Sequence, residues 1–329
     1  MDTPQSENFQ KTATTNFWLP ALLFVLTFIT TTFAGKEWIR GYSQQTELTD
    51  LLIGLPFSIS IIFVLGCHEF GHYFASRIHK VRTSLPYFIP FFSFQGIVLN
   101  FGTLGALIRT KEPIRSKKAL FDIGIAGPIA GFFASLLLLI YGFLHVPDIN
   151  YLLQIHPDYY SPDYGKNSLA LIFGDNLLFT LLKYIFLPTQ GYFPPMSEIY
   201  HYPYLCVGWF GLFVTAMNLI PVGQLDGGHI IYSMFGDKIH KAVASIALII
   251  LIIAGITGII ETYLGLKTAY GWTGWLFWAG ILYFIIKREH PPIYDYEKLD
   301  RKRMAVGYFG ILIFILSFTP VPFFITANF

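Results

Sequence analysis

The chain has 329 residues, 54% hydrophobic and 18% aromatic but only 13% charged, with a mean hydropathy of +0.54. That composition excludes an ordinary soluble domain and predicts an all-α polytopic membrane protein. A net charge of +2 says little about partners, no nucleic acid is expected, and the two cysteines, Cys67 and Cys206, sit in apolar segments and imply no disulfide framework.

In chain order, residues 1–16 form a short polar tail, and Phe17 to Gly35 is a first span flanked by Lys11 and Lys36. It exceeds a signal-peptide core and shows no clear small-residue cleavage site, so it reads as an uncleaved anchor. Leu51 to His79 is the second span. Residues 85–110 are apolar but are broken by Pro86, Pro90, Gly96, Gly102 and Gly105, while Leu104, Ala106 and Ile108 alternate as a strand would. A re-entrant β-hairpin dipping into the membrane is expected there, with an edge that could hold an extended substrate through Gly102, Leu104 and Ala106. Ala119 to Val146 is the third span, and Gly124, Gly127-Pro128 and Gly131 give it a small-residue face for close helix approach.

Residues 147–200 form an extracytoplasmic loop in which Ser168 to Leu187 is expected to be an interfacial helix. His201 to Phe235 is a fourth span, broken between Asn218 and Gly228. Lys241 to Ile260, Thr268 to Ile286 and Ala305 to Phe324 complete about seven transmembrane helices. The expected domains are a tail and anchor over 1–50, a three-helix core over 51–235, and C-terminal helices over 236–329. With the N-terminus inside, the inner segments hold 17 Lys and Arg against 5 on the outer ones. The positive-inside rule then fixes the orientation.

The chemistry concentrates in Cys67-His68-Glu69-Phe70-Gly71-His72-Tyr73. Residues four apart share a helix face, so His68 and His72 can present two imidazoles to one metal ion. Glu69 stands where a His-Glu-x-x-His metallopeptidase keeps its general base. Leu51 to Cys67 carries no charge, which places Glu69 about 12 Å from Arg77 and about 28 Å from Asp50 along a helix. Three ionisable groups at such depth call for a function. A catalytic zinc site needs a third protein ligand. Asp226 is the best candidate, because it lies in the apolar stretch broken by Pro221 and by several glycines, which the topology returns to the side of the histidines. His229 is the rival ligand, and capping of a broken helix is the bland alternative for Asp226. If only one of the hairpin and the 168–187 segment crossed the bilayer, Asp226 would face the wrong side.

The combination of His68-Glu69-Phe70-Gly71-His72, Asn218-Leu219-Ile220-Pro221 and Leu225-Asp226-Gly227 resembles the site-2 protease family of intramembrane zinc metalloproteases. Gly127-Pro128-Ile129-Ala130-Gly131 matches that family's middle core helix, although some members carry Asn where Gly131 stands. Phe101-Gly102-Thr103-Leu104-Gly105-Ala106 resembles its membrane-dipping hairpin, most closely in the bacterial and chloroplast branch without a PDZ domain. The resemblance implies Zn2+ held by His68, His72 and Asp226, with Glu69 as general base or acid. It also implies that Asn218 binds the substrate or the oxyanion, and it adds Gly127 and Pro128 to the candidate substrate-binding residues. The expected function is hydrolysis of a peptide bond in or near another protein's transmembrane segment, with water arriving past Gly223 to Gly228. The lack of a Ser/Arg-rich leader favours a bacterial inner membrane, with the site towards the cytoplasm. A prenyl-protein type metalloprotease would use a Glu as third ligand, but Glu198, Glu261, Glu289 and Glu297 all lie at loops or helix ends. A zinc-dependent transporter or a non-proteolytic chaperone is the alternative from another class. Intact Glu69 and the scarcity of other buried charges disfavour both. The sequence does not speak to oligomeric state.

Overall fold

The computed structural model describes residues 17–41, 48–92, 100–166, 168–187, 191–266, 270–295 and 297–328. Its first half runs through helices α1 (Trp18–Arg40) and α2 (Leu51–Ile78), strands β1 (Tyr87–Pro90) and β2 (Thr103–Leu107), and helices α3 (Lys117–Leu144) and α4 (Ile149–Ile155). Strand β3 (Ser168–Phe173) and helices α5 (Leu177–Phe186), α6 (Pro203–Asn218), α7 (Asp226–Phe235) and α8 (Asp237–Leu264) follow. Helices α9 (Gly274–Ile281) and α10 (Arg301–Ser317) and strand β4 (Phe323–Asn328) close the chain.

Among the described residues, α1, α2, α3 and α8 are long and apolar enough to cross a membrane. The other expected spans are shorter. The fourth is two helices, α6 and α7, parted by Leu219 to Leu225, as the Pro221 and glycine break predicts. The sixth is α9 continued by a π-helical turn, Leu282–Ile286. The seventh begins earlier than expected, because the Asp300 carboxylate accepts from the Lys302 and Arg303 amides and caps α10. It also ends earlier, at Ser317, ahead of Pro320 and Pro322.

The sequence expectation fails over 168–187, which is not one helix. Residues 168–173 form β3, paired antiparallel with β4 from Phe173↔Phe323 to Ser168↔Asn328. Helix α5 begins only after Asn176, whose side chain accepts from the Phe179 amide at 2.9 Å. Ser168-Leu-Ala-Leu-Ile-Phe is a short apolar run without alternation, and its partner lies about 150 residues away, so no local period marks it as a strand.

Small residues let the central helices touch. A Cβ on Gly54 would stand 2.0 Å from Thr32 O, so α1 and α2 cross backbone to backbone. Thr31 Oγ1 and Ser58 Oγ bond across that crossing at 2.7 Å, which satisfies two buried hydroxyls. A Cβ on Gly71 would stand 2.6 Å from Ala126 O, which sets the same closeness for α2 and α3. Helix α6 completes the core, and Leu205, Val207, Trp209 and Leu212 are each buried to 1% exposure or less. Helix α8 lies outermost and turns Ile246, Ile249, Ile253, Ile256 and Ile260 outward at helical spacing, as a lipid-facing surface requires.

Strands β1 and β2 pair antiparallel with Tyr87↔Leu107, Phe88↔Ala106 and Pro90↔Thr103, and a further bridge joins Thr83 to Thr110. The connecting residues 93–99 of the expected hairpin lie outside the described residues. The pair follows α1. The Phe88 ring meets Phe24 at 5.3 Å, Thr30 Oγ1 donates to Gly102 O at 2.6 Å, and Trp38 Nε1 donates to Asn100 O at 2.6 Å. From Phe24 to Trp38 is about 21 Å of helix, so the two strands and the residues beside them run along more than half of α1.

Candidate metal centre

Helix α2 carries His68 and His72 one turn apart, and their Nε2 atoms lie 3.1 Å from each other. Each stands 3.4 Å from Asp226 Oδ2, at the first residue of α7. His68 is 6% exposed, and the ligand atoms of all three residues converge on one point. An isosceles triangle with those sides has its centre about 1.9 Å from each corner, and zinc bonds nitrogen and carboxylate oxygen at about 2.0–2.2 Å. The donor set therefore fits a zinc-sized ion without rearrangement.

Supporting contacts fix this geometry. His72 Nδ1 lies 2.7 Å from Ile123 O, and only an N–H can face a carbonyl, so the lone pair of His72 sits on Nε2 and points at the convergence. Helix α3 reaches so close here because it carries glycine. A Cβ on Gly127 would stand 2.1 Å from His72 Nε2, and one on Gly131 would stand 3.1 Å from His68 Nδ1. Asp226 is delivered by the tight turn before α7, in which a Cβ on Gly227 would lie 2.0 Å from Leu219 O.

Glu69, 8% exposed, lines the same cavity, as does Ile108. The cavity measures about 340 Å3 and is shared by Asn218, Ala106, Thr83, Thr110 and Gln224 beside the metal-binding trio. Asn218 Nδ2 lies 3.4 Å from His68 Nε2, so its amide addresses the convergence point from the end of α6. The stretch expected to admit water, Gly223 to Gly228, contributes Gln224, Leu225 and Asp226 to the cavity wall, which Thr83 and Thr110 line as well.

Not every candidate converges. His229 shares the cavity wall, but its Nδ1 pairs with His290 Nε2 at 2.7 Å and it stands outside the trio. Of the hairpin residues, Ala106 lines the cavity and Leu104 is 66% exposed, whereas Gly102 is wedged against Thr30 and Thr31 of α1. Gly127 touches His72 directly, and Pro128 is buried within α3. The sequence reading missed the Ile123 carbonyl, a backbone group that no residue type announces.

Comparison with known proteins follows the same residues. Probable zinc metalloprotease EGY2, chloroplastic, of Oryza sativa subsp. indica is 28% identical over 262 residues, covering 79% of this chain and 41% of that protein. Probable zinc metalloprotease EGY1, chloroplastic, of Arabidopsis thaliana is 29% identical over 274 residues, covering 81% and 43%. Probable zinc metallopeptidase EGY3, chloroplastic, of Arabidopsis thaliana is 25% identical over 247 residues, covering 69% and 39%. The chain thus spans about two fifths of the length of these curated relatives. Their names place them in the chloroplast, and the bacterial inner membrane expected from the sequence finds no support in them. No solved structure matches the chain. The model of peptidase family M50 matches residues 56–260, a stretch that holds both histidines, Glu69 and Asp226, and the chain belongs to that family.

Proposed function

We propose that this chain is an intramembrane zinc metalloprotease of the site-2 type, which hydrolyses a peptide bond within or near the transmembrane segment of another membrane protein. One observation carries the reading: His68, His72 and Asp226 converge within 3.1–3.4 Å beside the buried Glu69, on a helix long and apolar enough to span a bilayer. Family membership and the names of the relatives support it.

His68, His72 and Asp226 would hold the ion, and Ile123 O keeps the His72 ring aimed at the convergence point. Zinc bound there would supply a Lewis acid for the scissile carbonyl and an activated water as nucleophile. The Glu69 carboxylate takes the water proton and passes it to the departing amine. Asn218 Nδ2 donates to the carbonyl oxygen as negative charge builds on it. A helical substrate has its carbonyls already hydrogen-bonded, so it must unwind before attack. Among the described residues β2 pairs with β1 alone, and its other edge offers main-chain groups to an extended segment next to Ala106.

Residues 51–235 form the catalytic core in this reading, the chain crosses the membrane seven times, and the cavity opens to the cytoplasmic side that holds the positive loops. The partners are a transmembrane substrate and the lipid bilayer. Transport or chaperoning without proteolysis is disfavoured, because neither needs a carboxylate buried beside a metal trio. The test is cleavage of a single-span substrate in liposomes before and after chelation. Activity should vanish on zinc removal and return on zinc addition; activity that survives complete demetallation would refute the proposal.

A further inference from the structure

A second cluster with ligand chemistry lies at the other end of α6. His156 follows α4, and Glu198 caps the short 3-10 helix Ile199–His201. In a 3-10 helix residues three apart eclipse each other, so Glu198 and His201 stack on one side. His201 Nε2 lies 3.0 Å from His156 Nε2 and 3.4 Å from Glu198 Oε2, and the three ligand atoms fall within 4.8 Å of one another. His201 is 1% exposed and Glu198 6%.

Two further observations point to an ion. His201 Nδ1 lies 2.8 Å from Ile39 O, so its proton is committed to that carbonyl and its Nε2 presents a lone pair to the cluster. The His72 ring is held by Ile123 O in the same way. Glu198 Oε2 is fully buried and accepts no hydrogen bond from the described residues, while Oε1 accepts from Tyr164 and Ser197, each at 3.3 Å. A buried carboxylate oxygen facing the His201 lone pair is costly unless a cation sits between them.

We propose that His156, Glu198 and His201 form a second zinc site, roughly 25 Å along α6 from the first. Two imidazoles and one carboxylate are borderline and hard donors that suit zinc. The site joins the end of α4, the turn before α6 and, through Ile39 O, the end of α1. Its role is to clamp the 147–201 segment onto the helix bundle.

The test is zinc stoichiometry of the purified full chain after exchange into buffer with a competing chelator, with thermal stability recorded for each variant. Wild type should hold two equivalents. The His72→Ala/Asp226→Ala double variant should hold one. His156→Ala and the shape-preserving Glu198→Gln should each lose one, with affinity at that site at least 100-fold weaker. A folded double variant without zinc overturns the proposal, as does a folded His156→Ala chain that keeps the wild-type count. If wild type holds a single zinc that persists in the double variant but leaves with His156→Ala, this site stands and the protease reading falls.

Discussion

Gly127→Ala tests the proposed metal geometry from outside the ligand set. The added methyl carbon would stand 2.1 Å from His72 Nε2, 2.4 Å from Cε1 and 2.5 Å from Cδ2. Non-bonded atoms of this size settle about 3.5 Å apart, so the ring must retreat by about 1.4 Å. A metal–ligand bond tolerates roughly 0.2 Å. His72 would also lose its bond to Ile123 O, because ring and carbonyl are held on opposite helices. Removing an orienting partner alone weakens metal binding 10–100-fold, so displacing the ligand itself should cost at least about 100-fold, or about 2.8 kcal/mol. Zinc affinity by chelator competition is the assay. Gly208→Ala is the control: its methyl would also crowd a neighbour well inside van der Waals contact, Leu139 Cγ at 2.6 Å, but about 15 Å along α6 from Asn218. It should lower thermal stability and leave zinc affinity unchanged. If Gly127→Ala binds zinc like wild type while Gly208→Ala shows the expected instability, the close packing of α3 on the metal ligands is wrong.

Two further variants probe the remaining assignments. Asp226→Ala should lose most of its zinc, whereas His229→Ala should keep it, because His229 pairs with His290 and not with the trio; metal analysis showing the reverse would exchange the third ligand. Ala106→Pro deletes a backbone donor on the cavity-lining strand and should cut cleavage strongly, while Ala106→Ser does little, with zinc content near normal in both. Wild-type turnover by a folded Ala106→Pro chain would make β2 an ordinary wall of the cavity.

Much of the site was legible because its signals are local or chemically costly. His68 and His72 lie one turn apart, and a charge-free flank of bilayer length makes Glu69 conspicuous. Asp226 stood out as a carboxylate in an apolar stretch broken by proline and glycine. The groups that aim these side chains were hidden because they are the backbone carbonyl of Ile123 and the absent side chain of Gly127. The β3–β4 pair was hidden for another reason. Its two strands sit far apart in sequence and carry no alternating pattern, so their pairing exists only in three dimensions. The second histidine cluster left one trace, the three-residue spacing of Glu198 and His201, but His156 joins it only through the fold.

The measurement that bears most directly on the central claim is zinc content and cleavage rate determined together on Glu69→Gln. Glutamine keeps the size and shape of the side chain, but it cannot take a proton from water. The chain should bind zinc as wild type does, while turnover falls by roughly two to four orders of magnitude. Cleavage within a few fold of wild type with zinc fully bound would contradict the account, because Glu69 would then not be the base.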